Sequence, residues 1–145
     1  NRYKLKLKIQ RLYLKIKKAR KHMIYKLANR ILKESDIVAV ETLDVKSMYQ
    51  VHSIAKHLKN LPIGDFLRVL KYKSDWLGKK VININKYYPS SQVCNRCEYK
   101  NERVKDLSVR KWICPRCGFE HDRDVNASVN IMFEGLKIYM KESII

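Results

Sequence analysis

Two Cys-x-x-Cys pairs, Cys94-Asn-Arg-Cys97 and Cys114-Pro-Arg-Cys117, stand 16 residues apart, and the chain holds no other cysteine. Two thiolates two residues apart turn onto one ion, and a second such knuckle closes a tetrahedron with no position open to water. The spacing predicts one structural zinc ion in a small ribbon. A disulfide scaffold would spread its cysteines through a short secreted chain. Free thiols or two disulfides are the alternative, and the clustering points to metal in a reducing cytosol. In the cysteine segment only Trp112, Ile113 and Phe119 offer much apolar burial, so metal must supply much of the ribbon's folding energy. His121 lies four residues beyond Cys117 and competes as a ligand, although Cys117 already completes the second knuckle. His22, His52 and His57 have no partner pattern and read as surface or packing residues.

Charge sets the class of partner. Lys and Arg number 32 against 14 Asp and Glu, a net charge of +18, and a surplus this large favours a polyanion. Residues 1–33 carry 13 of those basic residues and no Gly, Pro or acid. Leu5, Ile9, Leu12, Ile16, Ala19 and Met23 alternate by four and three, with Ile24, Leu27, Ala28 and Ile31 on a neighbouring stripe. That periodicity predicts a long amphipathic helix whose stripe packs on the rest of the protein. Lys15, Lys17, Lys18, Arg20 and Lys21 point outward, and with no acid for i,i+4 pairing they read as a nucleic-acid contact. Arg96, Arg103 and Arg116 in the ribbon are further candidates. No stretch approaches the apolar run a membrane span requires, and no signal peptide is evident, so the expected location is cytoplasmic and nucleoid-associated, with no membrane partner.

The remaining pattern is α/β. Ser35-Asp36 breaks the helix, and Ile37-Val-Ala-Val40 reads as a strand covered on both faces and ending in Glu41. In open α/β sheets the ligand crevice lies outside the carboxyl ends of strands. Residues 42–60 lack periodicity and read as a loop. A second helix is predicted over 62–79, with Phe66, Leu67, Val69, Leu70, Trp76 and Leu77 inward and Gly78 as its stop. A strand over 81–85 and a turn over 87–91 lead into the cysteine segment. Asp122 or Asp124 opens a last helix with the stripe Val125, Val129, Met132, Leu136 and Tyr139. Asp124, in its first turn, is expected to aim at the sheet edge. Taken alone it reads as a helix cap; beside Glu41 it reads as the second of the acids that Mg²⁺-dependent phosphodiester cleavage needs.

The order Ile37-Val-Ala-Val-Glu-Thr-Leu-Asp-Val-Lys-Ser-Met48, Leu70-Lys-Tyr-Lys, Trp76-Leu-Gly-Lys79, Ser90-Ser-Gln-Val-Cys-Asn-Arg-Cys97, Cys114-Pro-Arg-Cys-Gly118 and Asp122-Arg-Asp-Val-Asn-Ala127 resembles the OrfB/TnpB family. These transposon-encoded proteins are related to type V CRISPR effector nucleases. The resemblance implies the C-terminal part of an RNA-guided DNA endonuclease: a partial RNase H-like (RuvC) core over 1–89, a zinc ribbon insert over 90–120, and a closing helix over 121–145 that bears the third acidic motif. It implies DNA and a guide RNA as partners, and Mg²⁺ held by Glu41, the second catalytic carboxylate, and Asp124, the third. Asn126 and Asn130, one turn apart, are candidates to orient that site, though helix-face polarity is the preferred explanation for them.

The chain departs from the family pattern in three places. A strand carrying the first catalytic aspartate has no counterpart here, so a fragment is expected, inactive by itself. Glu98 stands where a Gly usually follows the first knuckle, and Thr42 where an acid usually follows Glu41. The competing reading is a binding module in which the helix and ribbon hold DNA or RNA and the acids have no catalytic part.

Overall fold

The computed structural model describes residues 1–44, 48, 50 and 62–144; His52 and His57, and the loop expected over 42–60 from residue 45 on, lie largely outside them. In order, the elements are α1 (Arg2–Glu34), β1 (Ile37–Glu41), α2 (Ile63–Trp76), β2 (Lys80–Ile84), a 3-10 turn (Glu102–Lys105), β3 (Lys111–Ile113), β4 (Glu120–Asp122) and α3 (Arg123–Ser143). The architecture is mixed α/β. The chain divides into two compact units, residues 1–36 with 44–80, and residues 37–43 with 81–145.

The first unit is α1 packed on α2. Ile24, Ala28 and Leu32, spaced by four, are the residues α1 buries, and α2 meets them with Val69, Leu70 and Ser74. The stripe expected to pack, Leu5, Ile9, Leu12, Ile16 and Met23, is exposed instead. The reason is length: at 1.5 Å per residue, the 14 residues of α2 cover less than half of the 33 of α1. Burial of the Ile24, Leu32 and Leu70 side chains contributes about 1.5–3 kcal/mol each. Trp76 and Leu77, expected inward, are also exposed, because they lie at the end of α2 where the chain turns. That turn is closed by Gly78 at φ +64°, a left-handed conformation that costs glycine nothing, while the Lys79 N–H donates to the Ser74 carbonyl. Lys79 then caps α1: its Nζ donates to the carbonyls of Leu32 and Ser35 and lies 3.1 Å from the Asp36 carboxylate. A cation at a helix C-terminus answers both the orphan carbonyls and the dipole.

The second unit holds the sheet β1–β2, the helix α3 and the cysteine ribbon. At the start of the strands the Lys80 N–H donates to the Asp36 carbonyl, and at their ends Thr42 Oγ1 donates to the Ile84 carbonyl at 2.6 Å. The two strands therefore run parallel, with Glu41 at the carboxyl end of β1. Thr42, a departure from the family pattern, is a strand-end tie. Helix α3 lies against β1, and the contact is made through Gly135, where an added Cβ would stand 2.4 Å from the Ala39 Cβ. The stripe read for α3 is displaced: Val125 and Met132 are exposed, and the buried residues are Arg123, Asn126, Asn130 and Gly135. Polar side chains take the inner face because the backbone they meet there offers unpaired donors and acceptors.

Candidate metal centre and its neighbouring carboxylates

The two knuckles share one backbone design. In the first, the Glu98 N–H donates to the Cys94 carbonyl and the Cys94 N–H to the Tyr99 carbonyl, both at 2.9 Å. In the second, Gly118 and Cys114 with Phe119 repeat those bonds at the same distances. The residue after each second cysteine sits at positive φ, +60° for Glu98 and +70° for Gly118. This turn aims the two sulfurs of a pair the same way. The β3–β4 hairpin carries the second pair, with Trp112 opposite His121 and Ile113 opposite Glu120. Val93 and Lys100 bridge across the first.

All four sulfurs lie within 4.8 Å of one another, with Cys97–Cys114 at 3.5 Å and Cys94–Cys117 at 3.7 Å. Four sulfurs at tetrahedral corners about 2.3 Å from a zinc ion would lie roughly 3.8 Å apart, so the cluster has the right size for that ion. Among the described residues it is the one group of three or more His, Cys, Asp or Glu close enough to hold a metal. The thiols are unequal. At Cys114 burial opposes the thiolate, but the Cys117 and Arg116 N–H groups and the Cys97 and Cys117 thiols outweigh it and bring the group down to about 7. At Cys97 the Tyr99 N–H favours the thiolate, yet burial and the three neighbouring thiols push it up to about 12. Full ionisation of such a cluster calls for a cation.

Cys94, Val104, Trp112 and Cys114 form the ribbon's buried core, with Cys97 and Val109 against it. Two of the three apolar residues credited with that core from sequence, Ile113 and Phe119, are exposed. Val104, fully buried from the 3-10 turn, takes their place; a three-residue strand turns only one residue inward, and in β3 that residue is Trp112. His121 is buried, stacked near Trp112 with ring centroids 4.6 Å apart, and its Nε2 lies 3.1 Å from Cys94 Sγ. Burial first, and Arg96 second, hold its pKa below the usual value; the group of side chains placed to share one ion is the four cysteines without it. Of the ribbon arginines, Arg96 lies over the Phe119 ring at 4.3 Å and Arg116 donates to the Cys97 carbonyl, while Arg103 is exposed on the 3-10 turn. On α1, Lys15, Lys17, Lys18 and Lys21 are exposed and Arg20 is half-buried.

The two singled-out acids occupy different settings. Glu41 is exposed at the end of β1, and its Oε1 accepts a 2.8 Å bond from Ser90 Oγ. The cap of α3 is Asp122, whose Oδ1 accepts from the N–H groups of Asp124 and Val125. Asp124 is therefore not the cap, and its carboxylate, 79% exposed, faces the Arg110 guanidinium at 3.8 Å. Between these acids of the motif, Arg123 is buried and donates to the Asp106 carbonyl, tying the start of α3 to the loop after the 3-10 turn. No group of three acids, histidines or cysteines among the described residues includes Glu41 or Asp124. Sequence reasoning passed over Ser90 and Arg123; the signal for Ser90 was its place in a turn that must pass the end of the first strand.

Two family models match the chain, a probable transposase model of the OrfB type over residues 1–52 and a Cas12f1-like TNB domain over residues 64–131. A Streptomyces pristinaespiralis protein named "Putative RNA-guided DNA endonuclease" is 33% identical over 94% of this chain and 33% of its own length. A TnpB-like protein of Acanthamoeba polyphaga mimivirus is 30% identical over 84% of this chain and 24% of its own. Among solved structures, Cas12f1 in a Cas12f1–sgRNA–target DNA complex matches the fold with a TM-score of 0.64 at 22% identity, covering 88% of this chain and 37% of that one. The chain thus spans about a quarter to a third of the length of the relatives it matches. With both family models matched in chain order and these relatives aligned across most of it, the chain is similar to OrfB/TnpB proteins along most of its length.

Proposed function

We propose that this chain is the part of an RNA-guided DNA endonuclease that carries its second and third catalytic carboxylates and its zinc ribbon, on an RNase H-like (RuvC) core. The observation that carries the reading is Glu41: a carboxylate at the carboxyl end of a parallel strand, held by Ser90 at one oxygen and open at the other. On this reading residues 1–89 and 121–145 belong to the core and residues 90–120 are an insert. The partners are a target DNA and a guide RNA, whose base pairing reads the sequence.

Zinc is the ion that four thiolates of this size and chemistry fit, and its role is structural. Glu41 and Asp124, hard oxygen donors, suit Mg²⁺. When bound, two such ions supply an activated water and stabilise the leaving oxygen of a phosphodiester. The chain's own part is to present Glu41 from the rigid end of β1, with Ser90 Oγ fixing Oε1. Asp124, at the second position of α3 behind the Asp122 cap, is free to leave the exposed Arg110, since a pair this open to water is worth at most about 1 kcal/mol. Lys15, Lys17, Lys18, Arg20, Lys21, Arg96, Arg103 and Arg116 supply phosphate contacts.

The Arg110–Asp124 pair favours a second reading, a non-catalytic nucleic-acid-binding module in which that acid only balances charge. One experiment separates the two. Join the chain to an upstream segment that supplies a strand ending in aspartate and measure Mg²⁺-dependent cleavage of guide-matched DNA. Glu41→Gln and Asp124→Asn should each lower cleavage by about 100-fold or more, since even outer-shell partners of a metal site cost 10–100-fold. Cleavage unchanged in both variants would leave the binding module.

A further inference from the structure

Residues 90–95 connect the two features on which the proposed function rests: Ser90 holds Glu41, and Cys94 begins the first knuckle. What holds this segment is a pair of side chains from α3. Asn126 accepts the Asn95 N–H on Oδ1 at 3.0 Å, which leaves its amide nitrogen to donate, and it donates to the Val93 carbonyl at 2.7 Å and reaches the Ser90 carbonyl at 3.5 Å. One turn on, Asn130 donates to the same two carbonyls, at 2.8 Å to Ser90 and 2.6 Å to Val93. Both asparagines are buried, 1% and 4% exposed. Helix-face polarity, which explained them from sequence, requires a solvated face and is excluded by that burial.

An asparagine carries two donors and one acceptor group on a short, rigid arm. Spaced by four on α3, the two arms lie one above the other and grip one strand of irregular backbone from the same side. The bonds go to main-chain atoms, so they fix where residues 90–95 lie regardless of their side chains. A buried amide left without its partner is costly, so the grip is kept or lost as a whole.

We infer that Asn126 and Asn130 are positioning residues that clamp residues 90–95 to α3, fixing at one end the first knuckle of the metal centre and at the other the Ser90 hydroxyl that orients Glu41. The knuckle half stands on geometry alone; the value of the Glu41 half for catalysis rests on the function proposed above. Neither asparagine belongs to the four-sulfur group, and both act through main-chain atoms of residues 90–95.

The test uses the zinc-loaded chain and two readouts: the rate at which a chromophoric chelator withdraws zinc, and the ¹³C chemical shift of the Glu41 carboxyl. Asn126→Leu and Asn130→Leu should each speed zinc withdrawal by about tenfold or more and should move the Glu41 resonance. Ser90→Ala should move that resonance and leave zinc withdrawal as it was, because the Ser90 carbonyl remains to be clamped. Leu32→Ala, which opens a cavity in the other unit, is the control for general destabilisation and should alter neither. Should a leucine variant fail to fold, Asn126→Asp and Asn130→Asp keep the shape, remove the donors, and are expected to act in the same direction. Zinc withdrawal unchanged in folded variants of both asparagines would overturn the knuckle half. A Glu41 resonance that answers to Ser90→Ala but not to Asn130→Leu would overturn the other. Neither readout involves cleavage, so failure of the nuclease reading leaves the clamp to stand or fall separately.

Discussion

At the residue scale, the same left-handed turn is made by glycine in the second knuckle and by glutamate in the first. Gly118 at φ +70° is unstrained, with no atom within 4 Å of where a Cβ would stand. Glu98 at φ +60° has a Cβ in that conformation, which costs about 1–2 kcal/mol for a residue other than glycine. Glycine gives back part of the difference, about 0.5–1 kcal/mol, through its greater freedom in the unfolded chain. Glu98→Gly should therefore stabilise the zinc-loaded protein by about 0.5–1 kcal/mol, and Gly118→Ala should destabilise it by about 1 kcal/mol. Denaturant unfolding of the pair checks both signs, and equal signs would contradict this account. The departure from glycine at position 98 was visible in sequence, and its meaning as stored strain needed the backbone angle.

At the element scale, α3 and β1 approach one another through Gly135 and Ala39. A methyl group at position 135 would stand 2.4 Å from the Ala39 Cβ, a separation that carbon atoms do not adopt, so helix or strand must shift. Overpacking of this kind costs about 1–3 kcal/mol, and alanine's better helix propensity returns up to about 1 kcal/mol. Gly135→Ala should lower stability by about 1–2 kcal/mol, which is on the order of a 2–8 °C fall in Tm. Ala39→Gly in the same chain should recover most of the loss, since two residues in contact do not contribute additively. Recovery absent from the double variant would place the strain elsewhere. Glycine in mid-helix signals weakness when read from sequence alone; its reason here is the strand lying against it.

Across the whole molecule, charge is the dominant property, +18 over 145 residues. No described helix is long and apolar enough to cross a membrane, and α1 carries its basic residues without an acid until Glu34. If its lysines lie against phosphates, binding to nucleic acid must weaken steeply with salt, by about 0.7–0.9 in log K per log salt for each contact. Replacing Lys15, Lys17, Lys18 and Lys21 by Gln should flatten that slope by about 3 and weaken binding of unrelated sequences alike. A slope unmoved by the four substitutions would remove α1 from the interface. Surface ion pairs such as Arg30–Glu34 and Arg68–Asp65 contribute little to the fold, being exposed on both sides.

Local chemistry was legible in the residues themselves. Two Cys-x-x-Cys pairs have few ways to act other than on one ion, a glycine after a helix marks its end, and a β-branched run between polar residues marks a strand, because each depends on neighbours a few positions away. Which face a helix buries was legible only in part. Apolar periodicity marked Leu5 to Met23 and a neighbouring stripe from Ile24 to Ile31 on α1, and Val125 to Tyr139 on α3, yet burial fell only on Ile24, Ala28 and Leu32, the first two from that second stripe, and on Asn126, Asn130 and Gly135. The choice was made by what lies opposite: a helix too short to cover α1, and beside α3 a strand that demands a glycine and an irregular segment that demands donors. Periodicity reports which side chains can be buried, and only the partner surface decides which of them are.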